Sequence, residues 1–171
     1  TGSYDERSLG SREHSESLPR ANVQIRWGGL EQMEAFGKKT GHGDERLRVG
    51  AVKVFVDGGF TGPSAYTIDP YRSEPGFHGS LDIDEEELRA LVQQAHETGG
   101  QMGFHAIGDA AIQLIVNYFA EAIQSSPRDN HRHYLNHFTV RPPSEVMALM
   151  AKHQIAITQQ ATFTYTLEGR Y

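Results

Sequence analysis

The sequence predicts an α/β protein built on a parallel sheet. Apolar, strand-like runs alternate with amphipathic helical segments between residues 47 and 163, and such alternation is typical of right-handed βαβ units. The run LRVGAVKVFVDGG at 47–59 is almost continuously apolar, as in a strand that is covered on both faces. The pattern fits an open doubly wound sheet and also fits part of a (β/α)8 barrel.

The first half of the chain is predicted to contain two strands and two helices. Residues 22–39 begin like a strand and continue as a weak helix from Leu30 to Phe36, where apolar residues recur at helical spacing. The strong strand at 47–59 is followed by a long loop at 60–80, and loops of this length are often functional lids. The helix in 80–100 has Asp84 as its predicted N-cap and ends at Gly99-Gly100.

The second half continues the alternation, which gives about five strands in total. Its predicted strands are 101–107, 131–140 and 154–163, and its predicted helices are 109–125 and 142–153. Asp109 is the expected cap of the first of these helices, and the second has proline in its first turn. Residues 1–21 are polar and are expected to be a flexible segment, whereas 22–171 are expected to form one domain.

The composition is that of a globular chain, with 171 residues of which 37% are hydrophobic and 22% charged. The net charge of −6 argues against nucleic acid or an anionic membrane as the main partner. No apolar run approaches the roughly 18–20 residues of a membrane span, and the polar start does not resemble a secretory signal. The chain has no cysteine, which excludes disulfides and thiolate ligands. We expect a cytoplasmic protein.

Two predicted strands end on histidine. His105 and His137 each follow an apolar stretch, and they are 32 residues apart, which is about one βαβ repeat. Because the carboxyl ends of parallel strands meet at one edge, both imidazoles are expected to enter one pocket. Neutral imidazole is the commonest metal ligand among side chains, so the pair predicts half of a zinc-type site. The alternative is that each histidine has only a structural role.

Lys53 lies inside the apolar strand at 47–59, where lysine is rarely buried without a partner. One interpretation is an ion pair with Asp57 or Asp109. The other is a desolvated amine whose lowered pKa suits covalent chemistry, including carbamylation by CO2, which would allow it to bridge metals.

The remaining histidines are assigned little function. His131 and His133 form an H-x-H pair that would share a strand face. They lie at the start of their strand, away from the expected site, and are therefore interpreted as surface or structural residues. The others receive no role, although His78 lies within the 60–80 loop.

Four stretches occur in a characteristic order: GAVKVFVDGGFTGPSAYTIDPY, GQMGFHAIGDAAI, DNHRHYLNHFTVRPP and QIAITQQATFTYTLEGRY. Together they resemble the middle of the YtcJ-like branch of the amidohydrolase superfamily, which includes relatives of N-substituted formamide deformylases. The resemblance covers about 49–171 and is weaker from residue 22. HAIGDAA is its most specific element.

The resemblance implies part of a (β/α)8 barrel that binds one or two divalent metals, usually zinc, at its carboxyl end. A metal-activated water would hydrolyse a non-peptide C–N bond of a small amide-type substrate. It also makes Lys53, His105 and His137 the candidate catalytic and metal-binding residues, with Lys53 as a candidate carbamylated bridge. Asp109 would then be a cap or would support the ligands.

Some family features are not found in this sequence. The early H-x-H of the first strand and the aspartate of the eighth strand are missing, and Asn136 occupies a position where the family commonly has glutamate. We therefore expect an internal fragment of a larger enzyme, inactive alone, whose open strand edges favour self-association.

Two other functions remain compatible with the sequence. The chain is compatible with a non-catalytic α/β interaction module whose histidines are structural. It is also compatible with a sheet that holds a phosphate at residues 108–111, at the start of a helix. The second is weaker, because HAIGDAA lacks a glycine-rich cradle.

Overall fold

A computed structural model describes residues 19–27 and 29–167 of the chain. Within these ranges five strands alternate with five helices. The strands are β1 Ala21–Arg26, β2 Leu47–Lys53, β3 Gly103–Ala106, β4 Tyr134–His137 and β5 Ala156–Thr158. The helices are α1 Leu30–Phe36, α2 Glu85–Glu97, α3 Asp109–Ser125, α4 Ser144–Lys152 and α5 Ala161–Leu167. The prediction of an α/β fold is confirmed.

The five strands run parallel and follow one another in chain order. β1 pairs with β2, and β3, β4 and β5 form a second ladder in that order. Parallel bridges join the two ladders, because Val52 pairs with Met102 and Phe55 with His105. All carboxyl ends therefore lie along one edge of the assembly.

The core lies between the strands and the helices that follow them. Leu88, Leu91 and Val92 of α2 are at most 1% exposed, so the stripe predicted for this helix does face the core. α3 adds a wider apolar face, which includes Ile112 and Phe119. Burial of such side chains, at roughly 25 cal/mol per Å² of apolar surface, holds the helices on the sheet.

The helix ends agree with the sequence at one cap and differ at two. The carboxylate of Asp84 accepts hydrogen bonds from the backbone N–H groups of Glu86 and Glu87, which confirms it as the N-cap of α2. Asp109 is instead the first residue of α3, and Gly108 occupies the cap position. Likewise, Pro143 caps α4 and lies outside its first turn.

All four strands predicted from residue 47 onward are shorter in the structure: β2 ends at Lys53 instead of 59, and β3 covers only Gly103–Ala106. The last two have local causes. The strand predicted at 131–140 covers only Tyr134–His137, because Arg132, His137 and Phe138 have positive φ angles, which end the extended conformation on both sides. In the strand predicted at 154–163, residues 161–163 belong to helix α5. A short apolar run does not distinguish strand from helix, and here the chain turns after Thr158.

The loop at 60–80 is ordered by hydrogen bonds within it and by a β-bridge just after it. Leu81 pairs with Asp57, and backbone bonds join Thr67 to His78 and Tyr71 to Phe77. The Tyr71 ring packs on Phe77 at 5.6 Å, and its hydroxyl donates to the carbonyl of Ala65. The loop is thus an ordered cover that follows β2.

The flexible segment expected at 1–21 lies largely outside the described residues, except that Ala21 is already the first residue of β1. Among the helices that the structure describes, none has both the length and the apolar character needed to cross a membrane.

Candidate metal centre

The candidate residues lie at the carboxyl ends of three adjacent strands. Lys53 is the last residue of β2, His105 is in β3 and His137 is the last residue of β4. The two imidazole rings meet edge to face, with centroids 4.6 Å apart. Lys53 reaches the same place, because its amine donates to the side-chain oxygen of Asn136 on β4. The structure therefore brings the three predicted residues together.

His105 is oriented by oxygen atoms on one side of its ring. Its Nε2 lies 3.2 Å from the carbonyl oxygen of Gly58 and 3.6 Å from the carboxylate of Asp57. A carbonyl only accepts, so Nε2 carries the proton and Nδ1 keeps its lone pair. That Nδ1 is buried and has no hydrogen-bond partner among the described residues. A buried acceptor without a partner is costly and requires an explanation.

His137 is turned toward His105 by an unusual backbone conformation. In an extended strand its side chain would face away from that of its neighbour Asn136. His137 instead has a φ of 75°, in the left-handed region that non-glycine residues rarely adopt. Its Nδ1 lies 2.8 Å from the side-chain oxygen of Gln160. Strained backbone of this kind concentrates at functional sites.

Lys53 does not form either of the ion pairs considered from the sequence. Its amine binds Asn136 and lies 5.0 Å from the centre of the Phe55 ring. The carboxylates of Asp57 and Asp109 are instead occupied by backbone N–H groups. Lys53 is therefore a partly buried amine with a neutral hydrogen-bond partner.

Burial shifts the pKa values of all three groups toward the uncharged state. Desolvation lowers the pKa of Lys53 from 10.5 to about 8. Burial also lowers the pKa of His105 and of His137, and the nearby Lys53 charge lowers both further. Hydrogen bonds to Gly58 and Gln160 oppose these shifts. Both imidazoles are therefore neutral near pH 7, the state in which imidazole binds metals.

The donor set fits part of a metal shell. The orphaned Nδ1 of His105 and the neutral ring of His137 supply two nitrogen ligands, half of a tetrahedral zinc site. Within 19–27 and 29–167, no group of three His, Cys, Asp or Glu side chains converges as a metal site. His105 and His137 thus form a two-histidine pair, with the Lys53 amine close by.

Asp57 holds the segments around His105 together through hydrogen bonds. Its fully buried carboxylate accepts bonds from the backbone N–H groups of Tyr66, Ile107 and Gly108, at 2.8 to 3.0 Å. Burial raises the pKa of Asp57 from 3.8 to about 6, although these three bonds oppose the shift. From the sequence, Asp57 was expected only as an ion-pair partner for Lys53, and its position in VDGG, at the end of the apolar run, was the available signal.

The start of α3 is closed to a phosphate. Asp109 accepts from the N–H groups of Ile68 and Ala110, Asp57 occupies that of Gly108, and the N–H of Ala111 donates to Tyr66. Two carboxylates thus occupy the place where an anion would bind. The phosphate-binding alternative is not supported by this arrangement.

A second histidine cluster lies at the opposite ends of the strands. His96, His131 and His133 are at most 8% exposed, so the H-x-H pair is buried in the structural role that the sequence allowed. His133 accepts at Nδ1 from the N–H of Met102, and its Nε2 lies 2.8 Å from Nδ1 of His96. His96, to which the sequence analysis assigned no role, is therefore part of the core.

Two polar residues that position the candidate ligands were not predicted. Asn136 was noted in the sequence only as a departure from the family pattern. In the structure its side chain accepts from the Lys53 amine and donates to Thr158. Gln160 lies in the strand predicted at 154–163 and was not among the predicted site residues. Its contact with His137 depends on the turn after β5 and on the φ angle of His137, which a sequence pattern does not reveal.

The chain is similar to proteins of the amidohydrolase family. A model of the amidohydrolase family matches residues 13–171. The chain is 31% identical over 145 residues to YtcJ of Bacillus subtilis (strain 168), which is named as an amidohydrolase. It is 28% identical over 115 residues to the protein LONG AFTER FAR-RED 3 of Arabidopsis thaliana. These alignments cover 84% and 67% of this chain. The chain spans only 26% and 20% of the two relatives.

Two solved structures share the fold. Both are described as uncharacterized metal-dependent hydrolases, one from Pyrococcus furiosus with a TM-score of 0.76 and one from Pyrococcus horikoshii OT3 with a TM-score of 0.74. Each is 22% identical to this chain, and each match covers 94% of this chain and 32% of the solved chain.

Proposed function

The chain belongs to the amidohydrolase family, and on this premise we propose that it carries part of the metal site of a hydrolase. The observation that supports this most directly is the buried, unpartnered Nδ1 of His105 beside the ring of His137. A divalent cation would satisfy that lone pair. Without a cation, the protein has a desolvated acceptor next to a second imidazole for no structural gain.

The proposed architecture is part of a (β/α)8 barrel. Five parallel strands follow in chain order with a helix after each, as in a barrel wall. A doubly wound sheet would instead reverse its strand order at a switch point. In a barrel the carboxyl ends of the strands form the active face, which is where the candidate residues lie.

Lys53 is proposed to become carbamylated when metal binds. An ammonium group beside a divalent cation would repel it, whereas a carbamate carries a negative charge and two oxygen ligands. Partial burial without a carboxylate partner leaves the amine easier to deprotonate than an ordinary lysine, and CO2 adds only to the neutral amine. Together Lys53, His105 and His137 would then hold one or two divalent ions, with zinc the candidate that best suits imidazole.

A bound metal would supply an activated water and polarise the substrate carbonyl. The chain's own residues hold and orient the ligands. Gly58 and Asp57 keep the proton of His105 on Nε2, and the ordered loop at 60–80 is fastened next to them through Tyr66. The proposed substrate is a small molecule with a non-peptide amide-type C–N bond, in keeping with the family resemblance. Completion of the site, including a proton acceptor, is assigned to parts of the whole protein outside the described residues, so we expect no turnover from this chain alone.

The test is zinc content after equilibrium dialysis at neutral pH. The wild-type chain should retain zinc, and His105→Ala and His137→Ala should each lose it, whereas His42→Ala, which changes an exposed histidine, should behave as the wild type. Equal zinc in all four proteins, or none in any, would favour the non-catalytic interaction module, in which the histidines are structural.

A further inference from the structure

The end of β5 provides polar side chains that contact the candidate ligands. Thr158 accepts a hydrogen bond at 2.7 Å from Asn136, the residue that binds the Lys53 amine. Two residues later, the side-chain oxygen of Gln160 lies 2.8 Å from Nδ1 of His137. One contact comes from the last residue of β5 and the other from the turn after it, and both reach residues of β4, so this segment shapes the site without contributing a candidate ligand of its own.

The contact with Gln160 decides which nitrogen of His137 carries the proton. An amide oxygen only accepts hydrogen bonds, so Nδ1 must be the donor. A neutral imidazole with its proton on Nδ1 has its lone pair on Nε2. This is the reverse of His105, where the Gly58 carbonyl holds the proton on Nε2 and leaves Nδ1 free.

The two histidines therefore expose different nitrogens through the action of different neighbours. Metal-binding histidines almost always donate their other N–H to an oxygen, which fixes both the tautomer and the direction of the ring. For His105 this oxygen is a backbone carbonyl, which no substitution removes. For His137 it belongs to a side chain, so its contribution can be tested.

We infer that Gln160 is a positioning residue that holds His137 as its Nδ1–H tautomer, with the Nε2 lone pair presented to a divalent cation beside His105. The inference rests on the proposed metal-binding function, because only a bound cation gives that lone pair a use. The left-handed backbone at His137, with a φ of 75°, brings the ring to Gln160 and to His105 at once. Gln160 therefore acts on the metal through His137.

The first measurement uses the metal-free, ¹⁵N-labelled chain at neutral pH. Nitrogen chemical shifts distinguish the two imidazole tautomers, and the His137 signals are assigned by their loss in His137→Gln. We expect the Nδ1–H tautomer in the wild type and in Gln160→Glu, which keeps an acceptor oxygen. Gln160→Leu should move the ring to the Nε2–H tautomer or to a mixture. Gln159→Leu, at the exposed neighbouring position, is the control and should leave the tautomer unchanged.

The second measurement is the zinc dissociation constant of the same proteins, each first shown to be folded by its urea-unfolding curve. Gln160→Leu should weaken zinc binding by about 10- to 100-fold, as expected when the oxygen partner of a ligating histidine is lost. Gln160→Glu and Gln159→Leu should stay within a few-fold of the wild type.

The outcomes separate the two hypotheses. An Nε2–H tautomer in the wild type, or unchanged zinc affinity in Gln160→Leu, overturns the role of Gln160 while zinc binding by the wild type still supports the proposed function. A wild-type chain that has the Nδ1–H tautomer but binds no zinc overturns the proposed function itself.

Discussion

The Nδ1 atom of His96 lies 2.8 Å from Nε2 of His133, inside the core. Nε2 of His96 faces the Ser126 carbonyl, so it carries the proton, and Nδ1 accepts from His133. His131 completes the cluster, accepting from the N–H of His133 and donating to the His153 carbonyl. Each acceptor nitrogen already faces a donor, so an added proton must break a bond.

This cluster predicts a loss of stability in acid. Burial is the main cause that lowers the pKa of His96 and His131, and it lowers the pKa of His133 from 6.5 to about 2. The unfolded chain therefore takes up these protons at a higher pH than the folded chain does. The free energy of unfolding should fall by up to about 1.4 kcal/mol per pH unit for each histidine held neutral.

His133→Asn tests this contribution, because asparagine keeps an acceptor for the N–H of Met102. Between about pH 7.5 and 5.5, urea unfolding should show that the wild type loses about 1 kcal/mol more than the variant. The pH dependence of the wild type is compared with that of the variant because Asp57 has the opposite effect in both proteins. Its pKa is raised to about 6, so Asp57 stabilises the fold as the pH falls from about 6 toward 3.8. His42→Asn is the exposed control. Equal pH slopes in the wild type and His133→Asn would refute the prediction.

Gly108 should tolerate no side chain. Its φ of −73° suits any residue, but a Cβ would lie 1.9 Å from the carbonyl oxygen of Tyr66. Gly108→Ala should therefore lower the free energy of unfolding by about 1–3 kcal/mol through overpacking. Gly62→Ala, in the 60–80 loop that contains Tyr66 and with open space around the position, should change it by less than about 1 kcal/mol. Urea-unfolding curves that give the two variants the same loss of unfolding free energy would contradict this close approach.

The parts of the fold that the sequence predicted depend on local signals. The α2 cap at Asp84 and the buried stripe through Leu88 and Leu91 follow from residue type and spacing alone. The alternation of strands and helices likewise predicted a parallel sheet, and the spacing of His105 and His137 predicted that their rings would lie close to each other.

The parts that were not predicted depend on tertiary contacts. Asp109 was expected to cap α3, but Gly108 must approach Tyr66 closely, and Asp109 instead binds the loop at Ile68. The buried role of His96 requires His133, which lies 37 residues further along the chain. No local pattern contains these pairings, since they depend on how the loops pack.

The outer edge of β5 is expected to pair with a second copy of the chain. The strand is the last in its ladder, all three of its residues are exposed, and Ile157 is 48% exposed. An unpaired strand edge is a template for further strands. Sedimentation velocity should show a concentration-dependent dimer or larger species that Ile157→Lys reduces.

Ile68→Lys is the control for that experiment, because Ile68 is similarly exposed at 43% but lies in the loop that follows β2. A wild-type chain that sediments as a monomer at all concentrations would disprove self-association. Equal effects of the two lysine variants would place the contact elsewhere.

Carbamylation of Lys53 is testable by ¹³C NMR in zinc-loaded protein equilibrated with ¹³C-bicarbonate. We expect a carbamate signal in the wild type that is absent from Lys53→Arg, since guanidinium does not add CO2. Lys39→Arg, at an exposed lysine, should keep the signal. A signal that survives Lys53→Arg, or is missing from the zinc-loaded wild type, would rule out the modification.

The most direct test of the metal site is a crystal structure of the zinc-soaked chain with anomalous data at the zinc edge. We predict a zinc peak about 2.0–2.1 Å from both Nδ1 of His105 and Nε2 of His137. An anomalous map with no peak between these two rings, or with zinc only on other histidines, would contradict the account.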